Sequence, residues 1–95
     1  MKHDSLQNLL TARFAAAIAQ VAGTSPETTD AGVRPAGDPK FGDYQCNAAM
    51  ALARTLRSKP RDVAQRIVDA VTPQLADIAE PLEIAGPGFI NIRLR

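Results

Sequence analysis

Phe89, Asn91 and Arg93 stand two residues apart in the closing stretch GPGFINIRLR, residues 86–95. An extended chain sends successive side chains to opposite faces. Ile90, Ile92 and Leu94 therefore share one face and Asn91, Arg93 and Arg95 the other, with Phe89 in the polar set. The chain has only three phenylalanines, and one beside an amide and two guanidiniums calls for a reason. Three are available. The ring folds back over the turn and covers the hairpin; or it packs against a domain outside these residues; or it is a stacking platform. In the third case the ring accepts a nucleobase of any identity, an amide two residues on reads a base edge as donor and acceptor, and arginines farther along meet the sugar-phosphate chain. One stacked base is worth about 1–3 kcal/mol, which needs no large positive field.

A second group of side chains with chemical potential is the basic run Arg54, Arg57, Lys59, Arg61 and Arg66, with Asp62 the only acid among them. A solvated helix face and a phosphate-touching patch both fit it. Catalytic groups are scarce. His3 is the only histidine and sits near the amino terminus; Cys46 is the only cysteine. With no histidine partner, Cys46 reads as a buried structural thiol and not a nucleophile. No His, Cys, Asp and Glu cluster has metal-ligand spacing, and no GxxxxGK[ST] phosphate loop is present. GPG is too short to cradle a phosphate and reads as a turn. These residues support no catalysis and no cofactor or metal of their own.

Composition narrows the class. Ninety-five residues, 45% hydrophobic and 22% charged, are those of one ordinary globular domain, able to bury roughly 60–65% of its unfolded surface. A net charge of +1, from 11 Lys and Arg against 10 Asp and Glu, excludes a domain that grips nucleic acid by bulk electrostatics, so any such contact must be local. The unpaired cysteine fits a reducing compartment. No apolar run approaches the ~20 residues of a membrane span, and MKHDSLQNLL lacks a signal-peptide pattern. A cytoplasmic protein is expected.

The elements that would position these residues follow from periodicity. A first helix is predicted from Asp4 or Ser5, either a cap, to Ala22, with Leu6, Leu9, Leu10, Phe14, Ala17, Ile18 and Val21 as its stripe and Gly23 as its end. Phe14 reads as core. Residues 23–42 hold most of the turn formers, with a short extended piece over residues 31–36, Val33 inward and Pro35 confining it to an edge. GDYQCNAAMALARTLR is predicted to open a second helix capped by Asp43, with Cys46, Ala49, Met50, Ala53 and Leu56 as its stripe. SKPRDVAQRIVDAV predicts a third, with Pro60 in its first turn, Asp62 near its positive end and Pro73 as its stop. PLEIA and FINIRL alternate as a hairpin around GPG, where Pro87 biases Gly86 toward extended backbone. The fold class is α/β, of the α+β kind: a two-layer sandwich with three helices on one face of a small antiparallel sheet of three to four strands. The other face carries Phe89, Asn91, Arg93 and Arg95.

FGDYQCNAAMALARTLRSKPRDVAQRIVD, residues 41–69, resembles the N-terminal additional domain of arginyl-tRNA synthetase, and so does LEIAGPGFINIRL, residues 82–94. In this order and spacing, after one amphipathic helix, they extend the resemblance over nearly the whole chain. The resemblance implies a module of a class I ligase that activates arginine with ATP (and magnesium) and esterifies it to tRNA-Arg. In that family the domain lies at the outer corner of the tRNA and contacts a variable D-loop nucleotide through an aromatic residue and an amide two positions later. These map onto Phe89 and Asn91, with Arg93 beyond them. Some relatives carry an Asn three residues before the aromatic, where this chain has Gly86. Within the basic run, Arg54, Arg57, Lys59 and Arg61 are the candidate phosphate contacts on composition alone, with a solvated helix face as the other reading. The HIGH-like and KMSKS-like ATP signatures of the catalytic domain are absent, so residues 1–95 are expected to be an excised domain, without the catalytic and anticodon-binding domains, that neither binds ATP nor charges tRNA alone. A module that only braces the catalytic domain of the same chain is the alternative. FGDYQCN reads as structural in the main, with ligand contact the other possibility.

Overall fold

The structure is a computed structural model that describes residues 2–25 and 29–95, with side chains from Leu6 onward. Helix α1 (Lys2–Ala22) is followed by strand β1 (Val33–Pro35), a 3₁₀ turn (Pro39–Phe41), β2 (Tyr44–Cys46), α2 (Ala48–Leu56), α3 (Pro60–Leu75), β3 (Glu83–Ala85) and β4 (Phe89–Ile92). The four strands form one antiparallel sheet in the order β1-β2-β4-β3. The three helices cover one face, with α3 packed against both α1 and α2. The α+β sandwich read from the pattern is the observed fold, with the upper of its two strand counts.

The core is the interior between the layers. Leu10, Phe14, Val63, Ile67 and Val71 are fully buried on the helical side, and Cys46, Ile90 and Ile92 on the sheet side. Helix α1 keeps its predicted end: Gly23 has φ +74, and the Gly23 and Thr24 amides both donate to Ala19 O. Its start lies earlier than predicted, so Asp4 and Ser5 fall inside the helix. Leu9 leaves the predicted stripe and is 39% exposed, because Leu6, Leu10 and Phe14, at four-residue steps, claim the buried side.

Two larger corrections concern helix boundaries. Residues 44–46, predicted as the opening of the second helix, are strand β2. Tyr44 and Cys46 point into the core while Gln45 points out, a period of two. Asp43 does not cap α2; its carboxylate accepts from the Leu94 amide at 2.8 Å and ties β2 to the end of β4. Pro73 does not stop α3. The helix runs through it to Leu75, because Val71 and Leu75, four residues apart, are both buried. The carbonyl that loses a partner to proline's missing N–H belongs to exposed Asp69.

The crossing from the 3₁₀ turn into β2 depends on Gly42. Its φ is +99, and a Cβ there would lie 2.6 Å from Ile92 O. The Asp43 amide donates to that same carbonyl at 2.8 Å, so the backbones cannot separate without losing a bond. Gly42→Ala is therefore expected to lower unfolding free energy by at least about 2 kcal/mol in urea denaturation followed by circular dichroism. Gly37→Ala, where a Cβ meets nothing within 4 Å, should stay within about 0.5 kcal/mol of the parent.

Candidate nucleic-acid interface

Strand β4 is central, between β2 and β3, and its alternation decides the site. Ile90 and Ile92 are fully buried under the helices, which leaves Phe89 and Asn91 on the uncovered face. Phe89 is half-buried. Its Cδ2 lies 3.7 Å from where a side chain would begin on Gly86, so the ring leans toward the turn while part of it stays open. Asn91 departs from expectation: it is on the open side but only 7% exposed, walled in by longer neighbours. Gln45 Nε2 donates to Asn91 Oδ1 at 2.8 Å. The amide forms part of a cleft of about 420 Å³ lined by Lys40, Phe41, Glu80, Pro81, Glu83 and Arg93. The Lys40 ammonium sits 5.1 Å from the centre of the Phe41 ring.

The other sequence-derived residues divide. Arg93 stays at this cleft, where its guanidinium donates to Pro39 O at 3.4 Å and Lys40 O at 3.3 Å. Arg95 leaves the face, donating to Ala76 O at 2.9 Å and pairing with Glu80 at 3.2 Å. Gly86 takes φ +55 and not the extended conformation expected before proline; a three-residue turn closed by the Gly88 amide on Ala85 O, 3.2 Å, requires it. Gly86 offers no side chain, and Arg61 donates to its carbonyl at 2.6 Å.

Arg61 also explains how the basic run relates to the ring. The start of α3 abuts the hairpin turn: a Cβ on Gly88 would lie 3.2 Å from Pro60 Cβ. The corner that carries Arg57, Lys59 and Arg61 therefore flanks the turn preceding Phe89. All three are exposed, as is Arg54, and none of the four is in an ion pair among the described residues. Arg66 lies apart, in a shallow hollow with Gln20 and Val21 of α1.

The arrangement thus offers a partly open ring, a hydrogen-bonding amide and uncompensated cations at one end of an uncovered sheet, which suits an unstacked base and its phosphates. The match to known proteins is direct. Residues 8–94 match the family described as the arginyl tRNA synthetase N terminal domain. The chain belongs to that family. Arginine–tRNA ligases from Pseudoalteromonas atlantica and Hahella chejuensis are 52% and 48% identical to it over 90 residues, 95% of this chain. One from Haemophilus influenzae is 54% identical over 76 residues, 80% of this chain and 13% of that relative. The chain spans about 15% of the length of the first two. The crystal structure of arginyl-tRNA synthetase from Plasmodium falciparum shares the fold, with a TM-score of 0.79 at 23% identity over 95% of this chain and 16% of that one. The domain's sheet is thus the family's sheet. Among its described residues no helix is long and apolar enough to cross a membrane, and no group of three or more His, Cys, Asp and Glu could hold a metal ion.

Sequence reasoning missed Gln45, which was hidden by the helix predicted over residues 44–46. The alternation of Tyr44, Gln45 and Cys46 was the available signal. Cys46, read as a buried structural thiol for want of a histidine partner, is in the interior: Sγ lies 3.1 Å from Ala31 O, and burial pushes the thiol up to about 11 from an ordinary 9.0. A raised thiol pKa favours the neutral folded form, so its contribution to stability is full below about pH 9 and is lost as pH climbs toward 11. Cys46 is expected to resist an aromatic disulfide reagent at pH 8 and to react at once when urea is added; fast labelling of the native domain would contradict its placement.

Proposed function

We propose that this domain is the tRNA-binding module of an arginine–tRNA ligase and that its open sheet face contacts the D-loop at the outer corner of tRNA-Arg. The observation that carries the reading is the half-open Phe89 beside Asn91 on the side of β4 that the helices leave bare. A D-loop base stacks on the ring, Asn91 hydrogen-bonds its edge, and Arg93 contributes positive charge at the adjoining cleft. Arg57, Lys59 and Arg61, with Arg54 behind them, meet the phosphates on the flank beside the hairpin turn. Gly86 contributes backbone alone. The relatives are arginine–tRNA ligases far longer than this chain, and the parent reaction is ATP-dependent arginylation of tRNA in the cytoplasm. The ATP and magnesium chemistry belongs to the catalytic domain of that ligase. This domain's residues bind and orient the RNA, with the catalytic domain as a same-chain neighbour.

One stacked base and a few phosphate contacts leave little beyond the cost of association, so the isolated domain binds weakly. Titration of the labelled domain with a tRNA-Arg transcript is expected to move backbone amide signals centred on residues 86–93. Shifts confined to the helices, or equal shifts with unrelated tRNAs, would favour a module that only braces the catalytic domain. Phe89→Ala should cost about 1–3 kcal/mol of RNA affinity. In the full ligase the same change should raise KM for tRNA and leave arginine activation by ATP unchanged. Replacing Arg57 and Lys59 with Gln should flatten the dependence of binding on salt by roughly 1–2 counterions without changing which base is preferred; an unchanged salt slope would remove these residues from the interface.

A further inference from the structure

The sheet register aligns four polar residues in one row across the open face: Arg34 on β1, Gln45 on β2, Asn91 on β4 and Glu83 on β3. One hydrogen bond within this row has a defined direction. Gln45 Nε2 donates and Asn91 Oδ1 accepts, at 2.8 Å, between residues directly opposite on the two central strands. The oxygen and nitrogen of a carboxamide lie in one plane, on opposite sides of the bond that joins the group to the chain, the one an acceptor and the other a donor. Holding Oδ1 toward β2 turns Nδ2 toward β3, where the cleft opens beside Glu83. Among the described residues Nδ2 has no protein acceptor, and no buried side-chain nitrogen or oxygen lacks a partner, so Nδ2 reaches the cleft surface. At 7% exposure the Asn91 side chain has little room to choose another arrangement.

We infer that Gln45 is a positioning residue that sets base preference at this face. By binding Asn91 Oδ1 it presents the amide nitrogen outward, so the site offers an incoming RNA base a hydrogen-bond donor and favours bases with an acceptor at the contacted edge. A free carboxamide would offer either hand and discriminate less. Gln45 itself touches Asn91 and not the RNA. This inference rests on the proposed RNA contact and adds the origin of its selectivity.

Two replacements separate the roles. In Gln45→Glu the carboxylate can only accept, so it captures Asn91 Nδ2 and turns Oδ1 outward, exchanging a donor for an acceptor at the cleft. In Gln45→Leu the amide loses its anchor. Four tRNA-Arg transcripts that differ only at the contacted D-loop base serve as probes, with binding to the domain read by fluorescence anisotropy. The native domain is expected to separate the best transcript from the worst by about three- to tenfold, the worth of one neutral hydrogen bond. Gln45→Leu should compress that range toward equality, and Gln45→Glu should reorder the four. In the free domain, nuclear Overhauser effects should run from the Asn91 amide protons to Glu83 in the native form and to the side chain at position 45 in Gln45→Glu. An unchanged order of transcripts in both variants overturns the inference and leaves the RNA contact standing. Failure of the native domain to bind any of the four overturns both.

Discussion

Strands β2 and β4 meet with Tyr44 opposite Ile92, Gln45 opposite Asn91 and Cys46 opposite Ile90, and the open face inherits its contents from that register. Ile90 and Ile92 are fully buried, and burial of each is worth about 1.5–3 kcal/mol. A one-residue slip would carry both isoleucines to the bare face and put an amide and an arginine under the helices. The aliphatic residues therefore fix where the ring and the amide point. Gly42 is part of the same constraint, because its missing side chain lets the loop before β2 approach the Ile92 carbonyl. Asp43 completes it with bonds to both Ile92 and Leu94. Gly42 and Asp43 thus position the strand that carries the site, while Phe41 of the same FGDY stretch lines the cleft.

With a net charge of +1, the domain lacks the field of a bulk electrostatic binder, and the fold concentrates what positive charge it has. The turn before Phe89 is pinned to the start of α3 by close packing on Pro60 and by Arg61, which donates to the Gly86 carbonyl. That contact joins two regions far apart in sequence and brings the α2–α3 corner to the ring. Two acids, Glu80 and Glu83, face the cleft beside Asn91, where they repel phosphate and leave room for a base. The proposed phosphate contact on one flank and base contact within the face rest on this placement.

Much of this was legible in the sequence. The four-residue steps of Leu6, Leu10 and Phe14 gave the first helix, and the alternation from Phe89 to Ile92 gave both the strand and the face of its ring. The resemblance carried by FGDYQ and AGPGFIN gave the family. What was not legible depends on contacts between distant segments. Three residues, 44–46, are too few for a period of two to compete with the helical pattern that follows, so β2 was absorbed into α2 and Gln45 with it. Pro73 looked like a stop because the pull of Leu75 into the core is tertiary. The depth of Asn91 arises from its lateral neighbours, Gln45 and Glu83, on other strands. Arg95 kept the alternation on paper, but the chain leaves the sheet after Ile92, and Ala76 and Glu80 take its guanidinium.

The central claim is that the ring on β4 stays partly uncovered so that an RNA base can rest against it. The most direct measurement is the set of intermolecular nuclear Overhauser effects from the Phe89 ring protons in the complex of this domain with isotope-labelled tRNA-Arg. The account predicts cross-peaks from the ring to base and ribose protons of a single D-loop nucleotide. A complex in which the ring shows cross-peaks only to its own hairpin and to Gly86, while RNA protons contact the helices, would contradict it.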